Sequence, residues 1–423
     1  MRVGALQRAV GSFGALACAR AKRIDAGIRS EERELIQKGK LEKAVELLQE
    51  LDIDMWLTVC RESMMNTEPA LPFIFRGDVV GTSAFLVTRT GRKIAIVHEL
   101  DVEGVIRQGL YDETVGYGAQ PFKEKFIEVL QALNPSCIAL NYSEHDVSAD
   151  GLTYGMYVFL QSIFAEMNYK GSIVSAIELI AGVRGQKTKE ELALIQEAIE
   201  ATSRIYEEAA SFIKPGMSEV EISDFFRERM RQCGAASAWS DNYNPIVMVG
   251  TATVVGHTGP SPHIKVRRGD VINVDFGIKL NGYCSDLQRI YYVLEDGESE
   301  APEEVQRAFR TVRTAIREAA SKVVPGEYAE EAIEAVQQTF GQAGYPKWKG
   351  GLGHQLGSFG HDGGISLKLG VPQAALKENM VFTIEPSIMT SRGCVGQEEI
   401  VVVTKDGGRF ISTPQSDIFL IGK

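Results

Sequence analysis

The chain has 423 residues, too many for one ordinary hydrophobic core, so two or three domains are expected. Hydrophobic residues at 44% and charged residues at 24% exclude a disordered chain. A net charge of −11 and a pI of about 5.3 argue against nucleic acid or an anionic membrane as the main partner. No apolar run reaches the ~18 residues that a membrane-spanning helix needs. The six cysteines (Cys18, Cys60, Cys137, Cys233, Cys284, Cys394) are scattered with no C-x-x-C pair, so neither a zinc ribbon nor a disulfide framework follows. They read as reduced thiols in a reducing compartment.

The first 21 residues, MRVGALQRAVGSFGALACARA, carry an early Arg2 and a small-residue run ending in a candidate A-x-A site. Arg8 interrupts that run, and glycine and serine dilute it. Residues 1–29 are therefore expected to be a disordered leader on a cytoplasmic protein, with a secretory signal as the alternative.

From Ser30 the pattern turns helical. LIQKGKLEKAVELLQELDID places Leu35, Leu41, Val45 and Leu48 near one face, with charges opposite. MWLTVC reads as a buried strand, TSAFLVTRTGRKIAIVHELD as a hairpin around Thr90-Gly91, and PSCIALNYSE as another buried strand. Helices are expected at about 121–133 and 155–168. Strands alternating with helices make residues 30–182 a self-contained α/β unit. His98 and His145 stand alone there and read as surface or structural residues.

A boundary is expected near 180–188. Thr188 is a plausible N-cap, Glu191 would complete a capping box, and a long amphipathic run follows until Lys214-Pro215-Gly216 stops it. A helix at about 219–233 leads into strand-like segments at 244–255, 271–277 and 283–293, then helices at about 301–323 and 328–343. Helix pairs alternating with hairpins make residues 183–423 an α+β unit.

The chemistry concentrates in this second half. VDFGIKLNGYCSD reads as a hairpin about Asn281-Gly282, yet each strand carries an aspartate, Asp275 and Asp286, among apolar neighbours. His354 sits in GGLGHQLG, and His361 follows seven residues later in FGHDGG. Glu385 interrupts the apolar strand MVFTIEPSI, and Glu398 precedes EEIVVVT. Any one of these acids could pair with an arginine or cap a turn. Four carboxylates bordering apolar strands, with a glycine-framed histidine, instead suit a pair of divalent cations about 3.5 to 4 Å apart. Carboxylate oxygen with one imidazole is compatible with Mn²⁺, Co²⁺, Fe²⁺ or Zn²⁺. Cys284 lies between the aspartates and reads as a packed thiol. Trp239 and Tyr243 could line a substrate pocket or pack in the core.

The motifs VINVDFG…YCSDLQR, GLGHQLG, FTIEP and QEEIVVVT resemble the Asp, Asp, His, Glu, Glu ligand set of the pita-bread metallopeptidases. That family includes methionine aminopeptidase, aminopeptidase P and prolidase. The interval of eleven between Asp275 and Asp286 and the order of motifs match. RGQKTKEELALI resembles the entry helix of the catalytic domain, and the large first domain resembles that of creatinase and aminopeptidase P. The resemblance runs from about residue 30 onward. It implies a metallo-aminopeptidase acting on Xaa-Pro peptides with two divalent ions, Mn²⁺ being the expected pair, and a homodimer.

By that resemblance Asp275 would bind one ion, Asp286 and Glu398 would bridge both, and His354 and Glu385 would bind the other. Glu385 would also carry the proton from the attacking water to the leaving amine. His257, in VVGHTGP, would be the substrate-side histidine, with His263 as its rival, and His361 would stabilise the tetrahedral intermediate. Two positions depart from the family. Aminopeptidase P and prolidase usually have H-G-L-G-H where this chain has Gly350, and an arginine where it has Gly396. The alternatives are a prolidase confined to dipeptides, a lyase or hydrolase of the creatinase or dimethylsulfoniopropionate lyase kind, and a binding module that kept only the fold.

Overall fold

The computed structural model describes residues 26–253, 256, 258–370 and 374–422. The expected leader therefore lies almost wholly outside the described residues, as does His257. Residues 29–190 and 191–423 form two compact units. None of the helices among the described residues is long and apolar enough to cross a membrane.

The first unit is a six-stranded sheet with helices on both faces. Its strands are β1 (Met55–Cys60), β2 (Ser83–Thr88), β3 (Lys93–His98), β4 (Glu113–Tyr117), β5 (Cys137–Leu140) and β6 (Ser172–Ser175), in the order β4-β3-β2-β1-β5-β6. The β2–β3 hairpin turns at Gly91, as its sequence predicts, and β1 pairs parallel with β5. The helices are α1 (Ala26–Glu50), α2 (Leu71–Ile74), α3 (Val102–Gln108), α4 (Phe122–Leu133), α5 (Tyr154–Glu166) and α6 (Ile177–Gly185).

Alternation along β1 explains the two cores. Trp56 joins Leu41, Leu47 and Leu48 of α1 with Leu179 and Val183 of α6 on one face. Met55, Leu57 and Val59 join Phe126 of α4 and Leu160 of α5 on the other. Leu35 departs from the expectation. It is 53% exposed, because the buried stripe of α1 runs through Ile36, Lys40, Leu41, Ala44, Leu47 and Leu48. Lys40 is tolerated inside because its ammonium donates to the carbonyls of Val183 and Gln186, at 2.7 and 2.9 Å. The expected boundary at 182/183 falls within α6, whose Leu179, Ile180 and Val183 are buried in this core, so the unit extends to residue 190.

The second unit holds α7 (Lys189–Phe212), α8 (Glu219–Gln232), α9 (Glu303–Lys322) and α10 (Ala329–Gln342) around short, mostly antiparallel sheets. Ser218 caps α8 with Glu221 in a reciprocal capping box. The main sheet has the order β20-β12-β9-β8, from β8 (Ile246–Val249), β9 (Val271–Phe276), β12 (Leu287–Val293) and β20 (Phe419–Ile421). A second sheet, β15-β18-β19, uses β15 (Val381–Ile384), β18 (Glu399–Thr404) and β19 (Gly407–Phe410). A ribbon of β16 (Ser387–Thr390) and β17 (Gly393–Gly396) packs its second strand on β9.

The expected single hairpin at 271–293 is broken in two. β9 and β12 pair with Asp275 opposite Gln288, and a small extension, β10 (Ile278–Leu280) with β11 (Tyr283–Cys284), closes the Asn281-Gly282 turn. Both turn residues have positive φ, 54° and 90°, as a hairpin turn of this kind requires. The break sets Asp286 between β11 and β12 rather than inside a strand. Tyr206 of α7 fixes it, its hydroxyl reaching the carbonyls of Val274 and Leu287, while Thr202 bonds Ser285 at 2.6 Å.

Consecutive glutamates at the start of β18 face opposite ways. Glu399 is fully buried and pairs with the 4%-exposed Arg289 at 3.0 Å. It also accepts hydrogen bonds from Gln397 and Ser412. Arg289 in turn donates to the carbonyls of Gln288 and Glu398, both at 2.9 Å. Replacing Glu399 by Ala strands a buried guanidinium and should destabilise this unit by about 3–5 kcal/mol. The Arg289→Met/Glu399→Gln double variant should lose less than Glu399→Ala. Urea unfolding followed by tryptophan fluorescence tests both, and a loss below about 1 kcal/mol for Glu399→Ala would contradict the bracing role.

Candidate metal centre

Five of the residues singled out in the sequence converge. Asp275 lies near the end of β9 and Asp286 just before β12, on neighbouring strands. His354 belongs to β13 (Gly353–His354), which lies beside β15, with its backbone N–H donating to the Thr383 hydroxyl at 3.2 Å. Glu385 follows β15, its N–H bonded to the Leu352 carbonyl at 2.8 Å. Glu398 immediately precedes β18, its N–H directed to the carbonyl of Gln288 at 3.3 Å. The backbone thus ties each strand end to its neighbour.

The His354 Nε2 lies 3.6 Å from an Asp286 oxygen and 3.8 Å from Glu385 Oε1. Its Nδ1 lies 3.2 Å from the carbonyl of Gln355, which leaves Nε2 as the lone-pair-bearing, ligating nitrogen. Burial, then the neighbouring His361, pushes the His354 imidazole down to about 3, so it is neutral. Asp286, His354 and Glu398 each offer an atom within 4.8 Å of the others' atoms.

The carboxylates are pushed the other way. Burial raises Asp275 to about 7. Burial, then the charge of Asp275, raises Glu385 to about 8. Asp286 and Glu398 rise well above the carboxylate range through burial and then through the neighbouring acids. One oxygen of each of Asp275, Asp286 and Glu398 is buried with no hydrogen-bond partner. Neutral imidazole nitrogen and unpartnered carboxylate oxygens are the donor set that a hard or borderline divalent cation takes. The residues fit such ions.

The surrounding candidates separate. His361 is exposed, its ring 4.0 Å from that of His354 between centroids. His263 is exposed, its backbone N–H bonded to Ser261. Cys284 is fully buried and burial pushes its thiol up to about 12, as a packed thiol requires. Trp239 donates to the carbonyl of Tyr243, and Tyr243 packs against Ile246, Met248 and Cys394. His98 stacks edge-on with Tyr117, and His145 is exposed.

Sequence reasoning missed Gln288, Arg289 and Glu399. Gln288 was readable only as the residue two after Asp286, and Arg289 as one more strand residue. The pair Glu398-Glu399 did carry a signal, since alternation must send one of them away from the site.

Metal-free protein should lose stability as pH rises. The folded pKa values of Asp275 and Glu385, about 7 and about 8, lie above those of an unfolded carboxylate. The folded state therefore holds protons that the unfolded state has released, and stability is full below about pH 4 and lost through about pH 8. In excess chelator the melting temperature should fall between about pH 5 and pH 8.5, and Asp286→Asn should flatten that fall. A chelated protein whose melting temperature rises over this interval would contradict the coupled cluster.

Comparison with known proteins places this centre in context. A putative Xaa-Pro aminopeptidase of Mycoplasma pneumoniae is 26% identical over 320 residues, 73% of this chain and 83% of its own length. The Xaa-Pro dipeptidase of Pyrococcus furiosus is 25% identical over 385 residues, 90% and 99% of the two chains. Among solved structures, an X-Pro aminopeptidase from Thermotoga maritima is similar with a TM-score of 0.68 and 24% identity, covering 88% of this chain and 98% of that one. An Xaa-Pro dipeptidase from Bacillus anthracis gives 0.69 and 23%, covering 91% and 100%. The two-unit α+β architecture is thus that of these proteins. The sequence profile of metallopeptidase family M24 spans residues 193–405, every converging acid and His354 included, and the chain belongs to that family of metal-dependent peptidases.

Proposed function

We propose that this peptidase removes the N-terminal residue from short peptides, preferentially before proline, with two divalent cations held by Asp275, Asp286, His354, Glu385 and Glu398. The observation that carries the reading is the set of four carboxylates around one neutral imidazole, three of them (Asp275, Asp286 and Glu398) with a buried, unpartnered oxygen. Four negative charges match two divalent ions. Mn²⁺ is the proposed pair, with Co²⁺, Fe²⁺ or Zn²⁺ acceptable to the same oxygens and nitrogen. The names of the Mycoplasma pneumoniae and Pyrococcus furiosus relatives support the preference for proline.

When bound, the cations supply Lewis-acid polarisation of the scissile carbonyl and a lowered pKa for water. The protein's groups do the rest. Glu385 has Oε2 held by Gln288 at 3.2 Å and Oε1 turned toward His354, so it is oriented to accept a proton from the attacking water and deliver it to the leaving amine. His361, exposed beside His354, would donate to the oxyanion of the tetrahedral intermediate. His257 would orient the substrate, as the family resemblance implies. The Gly350 departure is filled, since a Cβ there would meet the Trp348 ring at 2.6 Å. We further propose a homodimer, as the family resemblance implies, acting in the cytoplasm, where buried thiols such as those of Cys60, Cys284 and Cys394 stay reduced.

A dipeptide-only enzyme is the second reading, favoured by the Pyrococcus furiosus dipeptidase, which matches over 99% of its length. Mass spectrometry of purified protein with Mn²⁺ and Ala-Pro, Ala-Pro-Phe or Met-Ala-Ser separates the two. Chelator-sensitive release of alanine from Ala-Pro-Phe is the expected result. Cleavage of Ala-Pro alone moves the assignment to a dipeptidase, and no cleavage with metal bound removes the peptide reading.

Asp286→Ala and Glu398→Ala should each lower metal content and turnover together, measured by elemental analysis and peptide release. His361→Ala should keep its metal and lose about a hundredfold or more in kcat, as for one transition-state donor. Ordinary turnover in that variant would remove His361 from the chemistry.

A further inference from the structure

Gln288 touches the centre at several points. It stands directly across from Asp275 in the β9–β12 register and two residues after Asp286. Its backbone carbonyl accepts the N–H of Glu398 at 3.3 Å, and its side-chain amide donates to Glu385 Oε2 at 3.2 Å. The side chain is buried.

What holds that amide in place is an absence at position 396. A Cβ on Gly396 would lie 2.8 Å from Asn273 Nδ2, 2.9 Å from Gln288 Oε1 and 3.2 Å from Ser387 Cβ. The first two distances are shorter than real Cβ contacts, so a side chain there would push the amides of Asn273 and Gln288 aside. Asn273 returns a hydrogen bond to the Gly396 carbonyl at 3.0 Å and closes the arrangement. Gly396 is not among the glycines with positive φ. The missing side chain, not an unusual backbone, is therefore what the structure uses.

We propose that Gln288 is the positioning residue of Glu385, clamping one carboxylate oxygen so that the other faces His354 and the cations, and that Gly396 supplies the space this clamp needs. The inference rests on Glu385 being a ligand and proton carrier. Asp275 lies on β9 and Asp286 just before β12, so the clamp also ties the two aspartates to the glutamate that follows β15. A side chain at 396 would displace the Gln288 amide from its place in this geometry, which gives the Gly396 departure a physical counterpart at Gln288.

The test uses the full chain and two independent readouts: Mn²⁺ affinity of the chelated protein by calorimetric titration, and kcat and KM on the peptide that the wild type cleaves. Gln288→Met keeps the shape without the donor. It should weaken Mn²⁺ about tenfold and lower kcat about tenfold, with KM within about twofold. Gly396→Ala should weaken Mn²⁺ about fivefold alone, and less than about twofold when Gln288 is already alanine. Gln288→Met within about twofold of wild type in affinity and kcat would overturn the proposal. So would an equal effect of Gly396→Ala in both backgrounds, the mark of a merely structural glycine. Gln288→Met adds no bulk, so it decides the matter even where Gly396→Ala does not fold. The titration needs no substrate, so a protein that binds Mn²⁺ but cleaves no peptide defeats the substrate reading alone, and the affinities still judge the clamp.

Discussion

Four carboxylates buried within reach of one another cannot all be charged without compensation. Burial raises each of them, and the neighbouring acids raise Asp286, Glu385 and Glu398 further. In the absence of cations, protons must fill the same space. The second unit is arranged around that demand. Its two sheets meet where the acids emerge, and its backbone hydrogen bonds run from ligand segment to ligand segment: Glu398 to Gln288, Glu385 to Leu352. Helix α7 reaches the break between the aspartate strands through Tyr206 and Thr202. None of these contacts neutralises a charge. They hold the oxygens still, so that an ion entering the site needs little rearrangement of its ligands.

One cation of the protein's own lies close by but is kept from the acids of the centre. Arg289 follows Gln288 and turns to the far side of its strand, where Glu399 takes its charge. The guanidinium still contacts the carbonyls of Gln288 and Glu398, so it braces the centre through the backbone without entering it. A guanidinium among the ligand oxygens would compete with metal for the same lone pairs. Burying it in a separate, fully bonded pair removes that competition.

Much of this was legible in the residues. The α/β pattern of the first unit and the helix pairs of the second followed from periodicity and turn residues, while Asp275, Asp286, His354, Glu385 and Glu398 stood out as acids and a histidine beside apolar strands and became a ligand set through the family resemblance. What escaped was tertiary. The 271–293 hairpin read as one ladder because its apolar residues continue, and only the register shows that it breaks around Asp286. Leu35 read as buried because it is apolar, whereas the buried stripe runs one residue along, at Ile36. Gln288 had no signal at all, because its importance lies in a glycine more than a hundred residues away in the chain. The boundary near 182 fell inside a helix for a similar reason: Leu179, Ile180 and Val183 of α6 are buried in the core of the first unit, which local capping signals do not reveal.

The doubled glutamate at the head of β18 has a consequence for how this chain finds its fold. A one-residue slip of that strand would turn Glu399 into the centre and offer Glu398 to Arg289, and the run Ile400-Val401-Val402-Val403 would still present aliphatic residues on both faces. Chemically the two alignments are close to degenerate. The choice between them must therefore be made by groups that do not repeat. Ser412 accepts the N–H of Ile400 at 2.9 Å, Gln415 donates its backbone N–H to Glu399, and Gly396 admits only what fits beside Gln288. Correct alignment of the strand is thus decided by unrepeated polar side chains at its edge, before any ion arrives to reward it.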